Sequence, residues 1–358
     1  MTENFKQNLL RTISITPITK TIRQRCYHSP PNAKNNTPKI HCSIKTTPSG
    51  GGKIATSILA VLILVLSAIS QNAIATTQDV ATPAELIAAI ENNATTVINI
   101  TANIEFTDRY NNTDNALPKI NSRTLTINGV GENITISRSS SATTNFRFFE
   151  TGSNGNLILN NLTLTGGYLR GSWGGAVFVG INTTFTATNC TFKGNSVDLR
   201  GGAIRVGQGG TAYLFHCTFD GNTGSSDGNG ISIFVATVHS YNSIFVGATP
   251  QIGGTLSGGS NLIQGVNGLT RAEVFNNDGS LACDGIVKTA PALTKNAIVV
   301  PNHLTQPQVL ALLAKDQAGK KRPKRGNVTY GALEDCVKPQ PFKGNIIVRG
   351  GATLIIGK

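Results

Sequence analysis

The sequence has few charged side chains for its 358 residues, and acids are the scarcer kind, with 18 Asp and Glu against 31 Lys and Arg. No Asp or Glu occurs from residue 228 to residue 272, which leaves little there for catalysis by paired carboxylates or for calcium binding. The middle third also lacks the apolar stripe of an amphipathic helix. Its 39 Gly, with abundant Asn and Thr, instead favour many short strands and turns.

The apolar run at residues 54–69 is short for a membrane span. Its sixteen residues would form a helix of roughly 24 Å, against about 30 Å for the hydrocarbon core of a bilayer. The small residues Ala73-Ile74-Ala75 follow it. This pattern predicts a signal peptide at residues 54–75 that is cleaved after Ala75. An uncleaved anchor is the alternative, and it would be the only membrane contact that we expect.

Most of the positive charge precedes this run. Residues 1–53 contain nine Lys and Arg and one acid, a net charge of +8 out of +13, which leaves +5 for the rest. Pro30-Pro31 and the Pro-Ser-Gly-Gly-Gly sequence at 48–52 predict a disordered extension. No nucleic-acid-binding motif accompanies the basic residues, so we expect no nucleic-acid partner.

A repeat occupies the middle of the chain. Residues 174–177 read Gly-Gly-Ala-Val, and residues 201–204, which lie 27 positions later, read Gly-Gly-Ala-Ile. A second motif, Asn/His-Cys-Thr-Phe-x-Gly-Asn, occurs at 189–195 and again, at the same offset, at 216–222. Such a fixed period predicts a solenoid in which each copy is one coil.

Two weaker copies of the second motif extend the repeat at nearly the same spacing, one starting at Asn161 and the other at Asn242. Each copy alternates with period two, as a strand with one buried face does. The side chains expected inside are Leu162, Leu164, Cys190, Phe192, Cys217, Phe219, Ser243 and Phe245. The predicted fold is therefore all-β, a right-handed parallel β-helix.

The two ends carry helix signals. Thr82-Pro83-Ala84-Glu85 is a capping box with Pro at the first helical position, and it opens an amphipathic helix at 84–92. Exposed strand edges at the end of a solenoid need cover, so we expect this helix to cap the first coil. A second start at residues 305–308 could do the same at the other end. This predicts a β-helix with its N-terminal cap at 76–272 and a C-terminal cap segment at 273–358.

The Gly-Gly-Ala-Ile motif at 201–204, together with Phe219-x-x-Asn222, resembles the repeat of the polymorphic outer membrane proteins and related adhesin-like β-helix proteins of the pectate-lyase-like superfamily. The clear likeness covers about residues 155–250. Near the C-terminus, residues 316–334 resemble the closing segment of secreted bacterial β-helix proteins of unknown activity. The resemblance implies a bacterial protein that is secreted or displayed at the cell surface, associated with the outer membrane, and used for adhesion.

Pectate-lyase-like enzymes share this fold, so the acids of the regular coils are candidates for catalysis. Asp198 and Asp220 are separated by less than one period and cannot share a column of stacked coils, and Asp220 lies in a turn motif. The spacing of Asp198 and Asp227 is closer to one period. They are the catalytic candidates of the alternative function, a polysaccharide lyase or glycoside hydrolase.

Arginines and the only Trp of the chain surround the Gly-Gly motifs. Arg170, Trp173, Arg200 and Arg205 are candidate glycan-binding residues, because an exposed aromatic ring beside guanidinium groups suits carbohydrate contact. The alternative is a Trp packed on a loop beneath an Arg. Similarly, the basic run at residues 320–325 could contact phosphate or acidic glycans, or it could be a solvated turn.

The remaining reactive residues favour structural roles. We expect Cys190 and Cys217 to face inward on neighbouring coils as reduced thiols, because in-register strands hold their Cβ atoms too far apart for a disulfide. Cys283 and Cys336 could form a disulfide. No pair has the CxxC spacing of a zinc site, so neither a metal nor another cofactor is expected. By alternation, His216 points outward and is interpreted as a surface or turn residue.

Together these features favour a non-catalytic β-helix that is secreted or surface-displayed and acts in adhesion. The partners expected are surface glycans, or components of a host or of the cell envelope.

Overall fold

The computed structural model describes residues 11–13, 22–28, 40–45, 76–225, 228–266, 269–275, 289–294, 298–324 and 326–333. The chain forms two compact units, residues 1–72 and 73–358. Predictions for the apolar run at 54–69, for cleavage after Ala75, and for Asp227, Cys283 and Cys336 fall outside the described residues.

The first unit contains three short strands, β1 (Arg11–Ile13), β2 (Ile22–His28) and β3 (Ile40–Lys45). They form an antiparallel sheet in the order β1-β2-β3. Disorder of the extension at residues 1–53 stays a prediction for the parts outside these strands. The Ile, Tyr and Thr residues of the strands favour β structure, and the Pro-rich stretches that suggested disorder lie outside them.

The second unit is built of short parallel strands. In chain order they are β4 (Thr76–Val80), β5 (Thr95–Ile100), β6 (Ile104–Phe106), β7 (Thr124–Gly129), β8 (Thr135–Arg138), β9 (Phe149–Thr151), β10 (Asn156–Asn160), β11 (Thr163–Thr165), β12 (Tyr168–Leu169), β13 (Val177–Val179), β14 (Thr184–Thr188), β15 (Thr191–Lys193), β16 (Ser196–Val197), β17 (Ile204–Val206), β18 (Thr211–Phe215), β19 (Thr218–Asn222), β20 (Ile231–Ile233), β21 (Thr237–Tyr241), β22 (Ile244–Gly247), β23 (Ile252–Gly253), β24 (Leu256–Gly259) and β25 (Leu262–Ile263).

These strands form three long parallel sheets. The first sheet has the order β24-β21-β18-β14-β10-β7-β5-β4, the second β25-β22-β19-β15-β11-β8-β6, and the third β23-β20-β17-β13-β9. A short parallel pair, β12 and β16, lies outside these sheets. From β7 to β23, each successive coil adds one strand to each sheet. The predicted parallel β-helix is therefore confirmed.

The predicted register is also confirmed. Thr163, Thr191, Thr218 and Ile244 are successive Cα partners, as the spacing of the second motif requires. Gly174 of the Gly-Gly motif has a φ of +65°, and a Cβ there would lie 2.3 Å from the carbonyl oxygen of Val177. The repeated Gly thus permits a bend that other residues resist.

The interior is a column of apolar side chains. The rings of Phe192, Phe219 and Phe245 stack, with centroids 4.8 Å and 4.5 Å apart. Cys190 and Cys217 are buried and free, as expected. Burial raises the pKa of the Cys190 thiol to about 12, so both thiols are inert core residues rather than nucleophiles.

Helix α1 (Pro83–Glu91) follows β4 and begins with the predicted capping box: the Thr82 hydroxyl accepts from the Glu85 amide, and the Glu85 carboxylate accepts from the Thr82 amide at 3.1 Å. Its buried residues, Leu86, Ala89 and Ile90, join the main core.

Two further helices, α2 (Arg271–Val274) and α3 (Gln306–Leu312), and the antiparallel strands β26 (Thr289–Pro291) and β27 (Asn327–Thr329) lie in the C-terminal part. Among the described residues, no helix combines the length and apolar character that a membrane crossing requires.

The C-terminal part differs from the end cap that we expected. Residues 298–324 and 326–333, here called the C-terminal strap, lie along the side of the coils. Helix α3 begins at the predicted Thr305, but its Val309 and the adjacent Leu313 pack against Phe215 and Tyr241, which point outward from the first sheet. The strap lies on the side because the first sheet presents an outward apolar surface that must be buried.

His216 is covered by this strap, so the expectation of a surface position is wrong. It is a turn residue with a φ of +51°, in the position that Asn161, Asn189 and Asn242 occupy in other coils. Its side chain is only 1% exposed, and its Nε2 lies 3.2 Å from Asn242 Nδ2. Burial and the nearby Arg322 guanidinium hold the pKa of His216 well below its ordinary value.

Candidate functional site

The outward face of the third sheet carries the residues that best fit a binding site. Alternation places Glu150, Phe178, Arg205 and Ser232 on this face, and the register makes them successive neighbours across β9, β13, β17 and β20. An aromatic ring and an arginine thus stand side by side on adjacent coils, roughly 4.8 Å apart.

Trp173 packs on this row from the loop before β13. Its ring stacks with that of Phe178, with centroids 6.4 Å apart and planes at 29°, yet Trp173 remains 43% exposed. The sequence alternatives were glycan contact and packing beneath an Arg. The structure shows packing on an aromatic ring that leaves nearly half of Trp173 in contact with solvent.

Arg147 supports this pair from the buried side. Its guanidinium carbon lies 5.1 Å from the centre of the Phe178 ring, and its Nη1 donates to the Trp173 carbonyl at 2.8 Å. Asp114 and Ser172 accept from its Nη2 at 3.2 Å and 3.3 Å. Burial lowers the pKa of Arg147, and the carboxylates of Glu150 and Asp114 oppose that shift. Arg147 therefore holds the Trp173 loop in place.

A third aromatic ring, that of Phe234, stands two coils beyond Phe178. The guanidinium of Arg205 lies 5.0 Å from the centre of the Phe234 ring, and its Nη1 donates to the Ser232 hydroxyl. Arg205 is 7% exposed, whereas Phe234 is 48% exposed. We call Trp173, Phe178 and Phe234, with Arg147 and Arg205, the aromatic face. Its rings are accessible, and its arginines lie beneath them.

An exposed apolar ridge of turn residues borders the aromatic face. Ile181 is 64% exposed and Val235 is 70% exposed. Val235 has a φ of +49°, in a turn position where the preceding coils have Asn182 and Gly209. A β-branched residue is strained in this conformation, and an exposed one gains no core packing in return. Strain of this kind occurs most often at functional sites.

The other two predicted binding residues, Arg170 and Arg200, lie on the loops around the Gly-Gly motifs. Arg170 Nε is 3.8 Å from Asp198 Oδ2, in an ion pair whose side chains are 80% and 44% exposed. The carbonyl of Arg200 accepts from the amide of Gly174 at 3.2 Å, which places its backbone one coil from Trp173. A glycan-binding role for the four predicted residues, Arg170, Trp173, Arg200 and Arg205, stays a prediction.

The described acids of the regular coils, Glu150, Asp198 and Asp220, are each paired with a cation. Glu150 accepts from Lys119 Nζ at 2.6 Å, and Asp220 receives two bonds from Arg271, at 2.7 Å and 2.9 Å. Asp198 accepts from the Tyr168 hydroxyl at 3.5 Å besides its pair with Arg170. Within the described residues, no group of three His, Cys, Asp or Glu could hold a metal ion. The Asp198 and Asp227 pair is untested, because Asp227 is not described.

Sequence reasoning missed Phe178, Phe234 and Arg147. Phe178 could have been predicted from the sequence. It is the middle residue of the three-residue strand that follows the Gly-Gly-Ala motif, and alternation makes that residue point outward. Arg147 gave no signal, since its partners are 26 and 33 residues away in sequence.

Comparisons with known proteins give one match, to a family model. No curated protein and no solved structure matches the chain. Residues 77–198, which include Arg147, Trp173 and Phe178, match the model of the family described as "Putative pectate lyase-like adhesive domain".

Proposed function

We propose that this protein is an exported, non-catalytic adhesin that binds a surface glycan on its aromatic face. The observation that carries the proposal is the row of Trp173, Phe178 and Phe234, in which the first and last rings remain 43% and 48% exposed although buried arginines hold the row in place. A preorganised aromatic surface binds without first ordering its own side chains. The match of residues 77–198 to an adhesive domain supports the same function.

The face is suited to the apolar faces of sugar rings rather than to their acidic groups. Arg147 and Arg205 are 3% and 7% exposed, and both already donate to protein acceptors. They cannot approach a carboxylate in solvent without leaving these partners. Phe178 and Phe234 belong to coils about 10 Å apart, so a ligand that contacts both needs several linked sugar units.

Binding to a panel of immobilised neutral and acidic polysaccharides tests this function. We expect retention on at least one neutral polysaccharide, reduced about tenfold or more by Trp173→Ala or Phe234→Ala, because each substitution removes a central aromatic contact. Val130→Ala is the matched control, since Val130 is an exposed apolar residue, at 49%, on another part of the surface. Equal retention of all four proteins would contradict the proposal.

The same panel tests the alternative of a carbohydrate-active enzyme. Release of unsaturated products or new reducing ends would be measured during the binding assay. We expect no product. Product formation that is lost in Asp198→Ala would establish the lyase or hydrolase function instead.

A further inference from the structure

The basic run near the C-terminus is part of a tight hairpin in the strap. Lys315 and Lys321 are antiparallel Cα partners, the Asp316 amide donates to the Lys320 carbonyl at 2.8 Å, and the Arg322 amide donates to the Ala314 carbonyl at 3.0 Å. We call residues 314–324 the basic hairpin.

The basic hairpin is fixed to the coils by two buried side chains. The side chain of Gln317 donates through Nε2 to Thr163 Oγ1 at 2.7 Å and accepts at Oε1 from Thr191 Oγ1 at 2.8 Å. Arg322, only 5% exposed, donates to Asn189 Oδ1 at 3.3 Å and to carbonyls of the strap. The backbone of the hairpin is therefore held against the side of the β-helix, while its lysine side chains stay in solvent as the solvated-turn alternative expects.

The exposed charges of the basic hairpin are all of one sign. Lys315, Lys320, Lys321 and Lys324 are exposed, whereas Asp316 is buried and its Oδ1 accepts from the Lys320 backbone amide at 2.6 Å. The coils beneath, at residues 151–197, contain no Asp or Glu. Two like charges directly opposite each other destabilise a strand pair. The anchors hold Lys315 and Lys321 together despite this repulsion.

We propose that the basic hairpin is a second contact site, independent of the aromatic face, that binds a linear polymer of closely spaced phosphates outside the membrane. Ammonium groups bind phosphate as compact point charges. The fork of Arg would bind carboxylate or phosphate through two bonds, but the one Arg described in this hairpin is turned inward. The exposed residues include no large apolar side chain, which an interfacial membrane contact would add to the charges.

Lysine acetylation footprinting of the full chain with linear inorganic polyphosphate tests this site. We expect labelling of Lys315, Lys321 and Lys324 to slow about tenfold at low salt and to recover at high salt, as screening of exposed charges requires. Lys119 is the internal control, because its ammonium is already paired with Glu150 at 2.6 Å. The readout is separate for each lysine, so binding of polyphosphate to residues 1–53 does not obscure it.

Paired variants separate charge from structure. The double variant Lys315→Gln with Lys321→Gln should abolish the protection of Lys324 from acetylation by polyphosphate. The double variant Lys315→Arg with Lys321→Arg should retain that protection. Lys321→Glu would place opposite charges across the hairpin, so it should lose polyphosphate binding without lowering the melting temperature. Unchanged protection in the Gln variant, or equal protection of Lys119, would overturn the proposal. Protection by phosphatidylglycerol vesicles but not by polyphosphate would overturn the choice of a non-membrane polymer.

Discussion

Two outward faces of this β-helix carry aromatic rows, and within the described part of the chain only one of them is covered by other residues. On the first sheet, Phe215 and Tyr241 stack with centroids 5.6 Å apart and are 0% and 5% exposed, because the C-terminal strap packs on them. On the third sheet, Trp173 and Phe234 are 43% and 48% exposed. Similar residues on the same scaffold thus have opposite surroundings.

This difference in exposure assigns a role in stability to the covered face and a role in binding to the exposed face. A large aromatic residue that is fully buried by another part of the chain contributes to folding through the area it removes from water. One that stays exposed, on a row held rigid from below, contributes little to folding and remains available to a ligand. Substitutions on the two faces should therefore have opposite consequences for unfolding and for adhesion.

The same substitution on both faces gives the largest contrast. Phe215→Ala should lower the free energy of unfolding by about 3–5 kcal/mol, because it leaves a cavity between sheet and strap. Phe234→Ala should change it by about 0.5 kcal/mol or less, as exposed positions do. Urea denaturation of both variants measures this. Equal losses would mean that the two faces are not distinct in the way described.

Removal of the strap's buried cation should have the next largest effect. Arg322→Met leaves Asn189 and the carbonyls of Gly331 and Ala332 without their charged donor, a loss of about 3 kcal/mol. Hydrogen exchange of residues 298–324 should accelerate, while that of the third sheet stays the same. Lys321→Met, at an exposed neighbouring position, is the control and should leave exchange unchanged.

Acid should loosen the covered face through His216. Its pKa is lowered in the folded protein, so below about pH 6.5 the unfolded chain binds a proton that the native His216 does not. Stability should be complete above that pH and should fall by about 1.4 kcal/mol per pH unit below it, until the folded pKa is reached.

The His216→Asn variant isolates this contribution. Asn occupies the same turn position in three other coils and tolerates a positive φ, so the fold should be retained. Thermal unfolding between pH 7 and pH 5 should show a shallower loss than in the natural protein. Parallel curves would assign the acid sensitivity to other groups.

The smallest expected effect concerns the exposed ridge. Val235→Asn should raise stability by about 1 kcal/mol, because Asn relieves the strain at a φ of +49°. The reverse change, Asn182→Val, should lower stability by a similar amount. If the ridge contributes to adhesion, Val235→Asn should also weaken glycan retention. The comparison of the two faces predicts this result, in which an exposed residue lowers stability but supports binding.

The central coils could be predicted from the sequence because their contacts repeat. Phe192, Phe219 and Phe245 stack since one period of the repeat corresponds to one turn of the solenoid, and Cys190 and Cys217 follow the same rule. The candidate site was predicted only in part. Trp173 and Arg205 were identified as candidates, but the sequence did not show that both contact Phe178. The Trp173 ring stacks on Phe178, and Arg205 is the Cα partner of Phe178 on the next coil.

The C-terminal part shows where such reasoning ends. The capping signal at Thr305 correctly predicted a helix, but a capping signal carries no information about the surface on which the helix packs. Asp220 was interpreted as a turn residue, and its bidentate partner Arg271 is 51 residues away. Arg322 looked like one cation of a basic run, and burial gave it a different role from its neighbours.

By itself, the sequence determined the parallel β-helix, its register and the side chains that fill it, because a fixed period with alternating apolar residues allows only stacked coils. The tertiary structure alone decided which outward face is covered. Every coil alternates inward and outward in the same way, so the local pattern cannot distinguish an outward Phe that meets the strap from one that meets solvent. That choice rests on contacts between Phe215 or Tyr241 and a strap that lies far away in the sequence, which no repeat encodes.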